Sequence, residues 1–132
     1  METRRLGNSG LRVSEIALGS WLTFGSSVDA DRSRDLVHAA FDRGIFFFDS
    51  ADVYAHGAAE EALGRALRSI PRPHVVIATK CYFPMSEHPN DRGLSRKHIF
   101  EGVEASLRRI GTDYIDLHQC HRPEPDTTIS ET

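Results

Sequence analysis

The chain has 132 residues, 39% hydrophobic and 27% charged, which is room for one ordinary globular domain and not for two. Basic and acidic residues (16 against 19, net −3) are interspersed, which excludes the basic block of a nucleic-acid surface and the like-charge run of a disordered tail. No apolar run approaches the ~20 residues of a membrane span, the polar start Met1–Arg5 lacks a signal peptide's apolar stretch, and two cysteines without a C-x-x-C pair suit a reducing cytoplasm.

In chain order, residues 3–13 (TRRLGNSGLRV) predict a small hairpin turning at Asn8–Ser9–Gly10. Residues 14–20 (SEIALGS) predict a short strand, and 21–29 a loop. From Asp29 the period becomes helical, with Leu36, Val37, Ala40 and Phe41 on one face and Gly44 as the stop. Ile45–Phe46–Phe47–Phe48 then form an apolar strand that ends on Asp49. Residues 57–70 predict an amphipathic helix with Leu63, Ala66, Leu67 and Ile70 on one face, stopped by Pro71 and Pro73. Residues 74–80 (HVVIATK) predict a strand and 81–94 a long polar loop. Ser95 caps a helix over 96–110, striped by Ile99, Val103, Leu107 and Ile110 and ended by Gly111. A last strand covers 113–121, followed by turn and cap residues.

Strict alternation of short strands and helices predicts parallel βαβ units with right-handed crossovers. Four such strands leave two edges unpaired and one apolar face uncovered, so Phe47, Val76 and Leu117 are expected to meet water.

In folds of this kind, sites form at the carboxyl ends of strands. Three predicted strands end on Asp49, Lys80 and His121, and Tyr54 follows in the loop after the first of these. Each has a plainer reading alone: a loop cap, a solvated lysine, a turn histidine before Arg122–Pro123, a packed surface aromatic. Together they make a chemical set. A free phenol holds its proton too tightly to give it up readily near neutral pH, and a nearby ammonium favours the phenolate. A carboxylate beside the lysine keeps it charged, and a histidine can orient a carbonyl oxygen. The set could protonate an oxygen as a hydride reaches its carbon. No side chain supplies hydride, so a nicotinamide cofactor is required.

Alternation turns His118 away from His121, toward the helix layer, as a packing residue, and places Cys120 in the core on the same side. Cys81 borders Lys80 with its reactivity open. Without an H-E-x-x-H pattern no metal site is expected.

At these residues the chain resembles the aldo-keto reductases, most closely the branch containing the potassium-channel beta subunits and their bacterial relatives. The matching stretches are LGNSGLRVSEIALGSWLTFG, FFDSADVYAHGAAEEALGRAL, VVIATK and GLSRKHIFEGVEASLRRIGTDYIDLHQCHRPEPDTTISET, nearly the whole chain. The resemblance implies an α/β fold, the N-terminal half of a (β/α)8 TIM barrel. A complete barrel takes about 250 residues. Residues 1–132 then read as a single partial domain: hairpin 1–13 closing the bottom, four parallel strands and three helices over 14–121, and the start of the next connection at 122–132.

The same resemblance implies NADPH-dependent reduction of aldehydes or ketones in a completed barrel. Tyr54 would be the general acid, Lys80 and Asp49 its tuning pair, and His121 the carbonyl-orienting residue. Ser20, Trp21, Ser27, Asp49 and His121 fall where the family contacts cofactor. Ser27 replaces a glutamine common in the branch, His121 stands where the branch can carry asparagine, and Ala55–His56 stand where glycine often follows the tyrosine. The alternative is a non-catalytic half-barrel acting as a binding or regulatory module. The expected partner is a small carbonyl substrate, with no nucleic acid and no membrane. Three situations are open for the missing half: the chain is a piece of a longer parent, it pairs with a second copy to complete the barrel, or it is a shortened product with lost or altered activity.

Overall fold

A computed structural model describes residues 1–132. The chain opens with a hairpin of β1 (Thr3–Arg5) and β2 (Arg12–Ser14), antiparallel with Arg4 opposite Val13. Its turn is closed by the Ser9 hydroxyl donating to the Leu6 carbonyl at 2.8 Å. The Ser14 hydroxyl oxygen accepts the backbone N–H of both Phe46 and Phe47 at 3.2 Å, which pins the hairpin to the start of a central strand.

The main sheet has four parallel strands: β3 (Ala17–Gly19), β4 (Phe47–Asp49), β5 (Val76–Cys81) and β6 (Leu117–Cys120), in that spatial order. The registers are Gly19↔Asp49, Asp49↔Ala78 and Lys80↔Gln119. The crossovers are α1 (Ala30–Asp42), α2 (Ala58–Leu67) and α3 (Arg96–Ile110). Their limits follow local chemistry. Asp29 caps α1 by accepting the Arg32 N–H at 2.8 Å, Ser95 caps α3 through the His98 N–H, and Gly111 ends α3 in the left-handed conformation.

The core lies between the sheet and its helices, built from Phe24, Val37, Phe48, Leu63, Ile77 and Ile110 among others. Phe48 and Ile77 occupy the helix-facing side of adjacent strands, so alternation sends Phe47, Asp49, Ala78 and Lys80 to the other. At Gly64 a Cβ would lie 2.1 Å from the Ile110 carbonyl oxygen, so only glycine lets α2 approach the end of α3. No helix is long and apolar enough to cross a membrane.

Several details differ from the sequence expectations. Ser14 belongs to the hairpin, β3, β4 and β6 are shorter than expected, and Leu36 of α1 is exposed. Val76, paired in register with Phe47, is buried on the inner strand β5, while Phe47 and Leu117 are half-exposed. Cys120 is exposed rather than in the core: it ends β6, the edge strand of the sheet, with no strand beyond it. The second helix begins at Ala58, preceded by a 3-10 turn over Tyr54–Gly57 that sequence periodicity reads as loop and helix start.

Candidate active site

The strand ladder runs on past the carboxyl end of the sheet and carries the site. The Ser50 N–H donates to the Ala78 carbonyl at 2.9 Å, the Asp52 N–H to the Lys80 carbonyl at 3.1 Å, and the His121 N–H to the Cys81 carbonyl at 3.1 Å. These bonds bring Asp49, Tyr54, Lys80 and His121 to one rim.

Lys80 is the hub. Its Nζ donates to Asp49 Oδ2 at 2.7 Å, to the Ser50 carbonyl at 2.7 Å and to the Tyr54 hydroxyl at 3.4 Å. An ammonium has three protons, and all three have an acceptor. The Lys80 side chain is 12% exposed and that of Asp49 29%, so the pair is shielded from the solvent screening that weakens surface ion pairs.

The Tyr54 ring meets the edge of His121, with centroids 5.7 Å apart and planes at 80°. His121 also packs against Phe83, with centroids 5.0 Å apart and planes at 79°. Trp21 lies 6.3 Å from Tyr54, tilted by 31°. Trp21, Leu22, Val53, Tyr54, Phe83, His121 and Arg122 are among the residues that wall a cleft of about 650 Å³.

Burial lowers the pKa of His121 below the ordinary 6.5. Lys80 and Arg122 push it in the same direction and Asp49 opposes them. The ring is therefore neutral near pH ~7, able to donate from one nitrogen while the other accepts. Its Nδ1 is buried without a partner.

The turn that presents Tyr54 is strained. Ala55, His56 and Gly57 are left-handed in succession, with φ of 47°, 54° and 92°. A left-handed non-glycine residue costs roughly 1–2 kcal/mol, so Ala55 and His56 hold this shape because their surroundings impose it.

The structure brings Asp49, Tyr54, Lys80, His121 and Trp21 together. Ser20 stands behind them: it is buried, its hydroxyl donates to Ser50 Oγ at 2.9 Å and its N–H to the Asp49 carbonyl at 2.9 Å, so it braces the strand end that carries the acid. Ser27 is exposed, and its hydroxyl donates to the Leu22 carbonyl at 2.9 Å within its own loop. Sequence reasoning missed the Ser50 carbonyl, which carries no side-chain signal, and Phe83 and Arg122. Both of these sit just beyond strand ends, and that position was the available clue.

Sequence reasoning also missed buried acids behind the cleft. Burial pushes the Asp52 carboxyl up to about 7, against the Val53 N–H that its Oδ1 accepts at 2.6 Å. Burial, with Asp52 nearby, pushes the Cys81 thiol up to about 12, away from the reactive thiolate form. His118 faces the helix layer as expected, where burial holds its pKa down. No three His, Cys, Asp or Glu side chains are grouped to hold a metal ion.

The profile of the family described as "Aldo/keto reductase family" matches residues 15–132. The chain belongs to the aldo/keto reductase family. Membership supports oxidoreductase chemistry in general, with a nicotinamide nucleotide as the family's usual reductant.

Among curated proteins, this aldo/keto reductase chain is 47% identical over 134 residues to a probable voltage-gated potassium channel subunit beta of Oryza sativa subsp. japonica. It is 46% identical to a protein of the same description from Arabidopsis thaliana. Each match takes in all of this chain and 40% of the relative. A putative voltage-gated potassium channel subunit beta of Schizosaccharomyces pombe is 42% identical, covering 97% of this chain and 38% of its own length. The chain thus spans about two-fifths of the length of these relatives.

The residues present fit the nicotinamide end of such a cofactor. The cleft lies within the ~300–1,000 Å³ common for small-ligand sites. Its walls are mostly aromatic and apolar, with the polar ring of His121 among them.

Proposed function

We propose that the chain carries the proton-donating half of an NADPH-dependent carbonyl reductase, with Tyr54 as the donor. The observation that supports this best is the Lys80 ammonium, held by Asp49 and Ser50 while directed at the Tyr54 oxygen. NADPH, when bound, supplies the hydride that reaches the carbonyl carbon. The residues of the chain handle the oxygen. The neutral His121 ring donates a hydrogen bond to it and fixes its lone pairs toward Tyr54. Tyr54 then breaks its O–H bond and gives the proton to that oxygen, completing the alcohol. The charge left on the phenol oxygen is met by Lys80, whose own charge Asp49 balances. Such positioned acid catalysis contributes about 10²–10⁴-fold.

Trp21 and His121 would flank the nicotinamide, and Asp49 would stand beside it through Lys80. Ser20 would act through the strand end and Ser27 through the conformation of the 21–28 loop. The substrate class is aldehydes or ketones small enough for the cleft between Trp21 and Phe83.

A second reading draws on the printed names of the relatives, which are channel beta subunits. Here the same site would bind nucleotide in a regulatory module without turnover. The sheet edges β3 and β6 have no partner strand in this chain, so a second copy completing the enclosure goes with either reading.

NADPH titration with light scattering, followed by turnover of simple aldehydes, separates the readings. Reduction that Tyr54→Phe abolishes, with NADPH affinity within about twofold, supports the reductase. Nucleotide binding with no turnover supports the regulatory module. No binding by either a monomer or a dimer rejects both for this chain.

A further inference from the structure

Tyr54 and Lys80 sit on different elements, so their contact depends on what ties the Tyr54–Gly57 turn to β5. Behind the cleft one carboxylate reaches toward both. Glu60 lies in the first turn of α2 and is fully buried. Its Oε1 accepts the Thr79 hydroxyl at 2.5 Å. Thr79 directly precedes Lys80 and, by strand alternation, faces the other way. Glu60 Oε2 accepts from Arg109 Nε at 2.6 Å. Arg109, near the end of α3, has its stem across Gly57: a Cβ at Gly57 would stand 2.6 Å from Arg109 Cδ and 3.0 Å from its Nε. Gly57 is the last of the three left-handed residues after Tyr54.

We propose that Arg109 is a positioning residue. Through Glu60 and Gly57 it clamps the turn that presents Tyr54 against the strand that presents Lys80. The proposal rests on the reading of Tyr54 as proton donor, but what it specifies is where the Tyr54 ring is held. Two features carry it. A backbone run that two non-glycine residues disfavour needs restraint from outside the turn, and Arg109 is in van der Waals reach of its last residue. A fully buried carboxylate is costly unless paired and hydrogen-bonded. Glu60 has both of its oxygens engaged, one to the Lys80 strand and one to the group that covers the Tyr54 turn. Neither Glu60 nor Arg109 lines the cleft, so any effect on chemistry passes through Tyr54.

Aromatic cross-relaxation spectra read this without turnover. The chain should show one cross-peak between the Tyr54 and His121 rings and another between Phe83 and His121, whose centroids are 5.7 Å and 5.0 Å apart. Arg109→Met keeps an apolar stem and removes the charged head. The expected result is loss of the Tyr54–His121 cross-peak with the Phe83–His121 cross-peak kept. If Glu60 left unpaired prevents folding, Glu60→Gln combined with Arg109→Met removes both charges and should give the same selective loss. A folded variant that keeps the Tyr54–His121 cross-peak at its original strength overturns the proposal. Joint loss of both cross-peaks in a folded variant overturns it too, since the support would then be general. An unaltered chain that shows both cross-peaks yet reduces no carbonyl sinks the reductase reading and leaves this test in force.

Discussion

The Lys80 ammonium stands 3.4 Å from the Tyr54 oxygen and 2.7 Å from Asp49 Oδ2, so one cation is shared between an acid that fixes it and a phenol that can use it. The sharing is unequal by geometry. The short contacts go to Asp49 and the Ser50 carbonyl, and the long one goes to Tyr54. In the proposed reaction negative charge would grow on the phenol oxygen as it loses its proton, and the long contact would strengthen. An interaction that is stronger in the transition state than in the ground state is the kind that raises kcat.

Lys80→Met and Asp49→Asn should therefore rank in a fixed order. A hydrogen bond to a charged group is worth about 1.5–3 kcal/mol, so Lys80→Met should lower kcat by roughly 10- to 100-fold at little change in KM. Asp49→Asn leaves Lys80 its bonds to the Ser50 carbonyl and Tyr54, and its loss should be smaller. Steady-state kinetics of both variants check this. A larger loss in Asp49→Asn than in Lys80→Met would mean that Asp49 does not act through the lysine.

His121 gives a test by titration. Burial is the first cause of its lowered pKa, Lys80 and Arg122 add to it, and Asp49 opposes it. Followed by its ring-proton resonance, His121 should titrate below 6.5. Arg122→Ala removes a neighbouring cation and should move the transition upward. Asp49→Asn removes the opposing anion and should move it further down. Shifts of the opposite sign would contradict the assignment of causes.

Much of this arrangement was legible from sequence because it follows from periodicity. The strand ending on Asp49, the helix capped at Ser95 and stopped at Gly111, and the hairpin at 3–13 rest on local chemistry that acts within a few residues. Alternation also put His118 and His121 on opposite faces. What sequence did not reveal depends on distant pairing. Glu60 lies in an ordinary amphipathic helix pattern, and its burial is set by Thr79 and Arg109, which lie 19 and 49 positions further on. The exposure of Cys120 and the burial of Val76 likewise depend on strand order, an edge strand for one and an inner strand for the other, which no local pattern encodes.

Asp52 predicts a pH dependence of stability. Its folded pKa of about 7 lies above the reference value of 3.8. Between these values the folded state holds the proton more tightly than the unfolded state, so this residue's contribution to stability falls as pH rises through that window. At about 1.4 kcal/mol per unit, the loss is bounded on the order of 4 kcal/mol. Asp52→Asn keeps an acceptor for the Val53 N–H and cannot ionise. Its urea midpoint relative to that of the unaltered chain should therefore rise between about pH 5 and about pH 8. A constant difference across that range would show that the Asp52 carboxyl is not paying for burial.

The two cysteines should separate cleanly by reactivity. The thiolate is the reactive form of cysteine. Cys81 is buried with its pKa pushed up to about 12, whereas Cys120 is exposed. With a thiol-specific chromogenic reagent under native conditions, one thiol should react promptly, and Cys120→Ser should remove that phase. The second thiol should appear on unfolding in urea, because Cys81 contacts the α3 backbone near Gly102, where an added Cβ would lie 3.4 Å from its own Cβ. Prompt reaction of both thiols in the folded chain would mean that the β5–α3 packing opens on the timescale of the assay. In that case the Lys80 end of β5 would be less firmly held than its hydrogen bonds indicate.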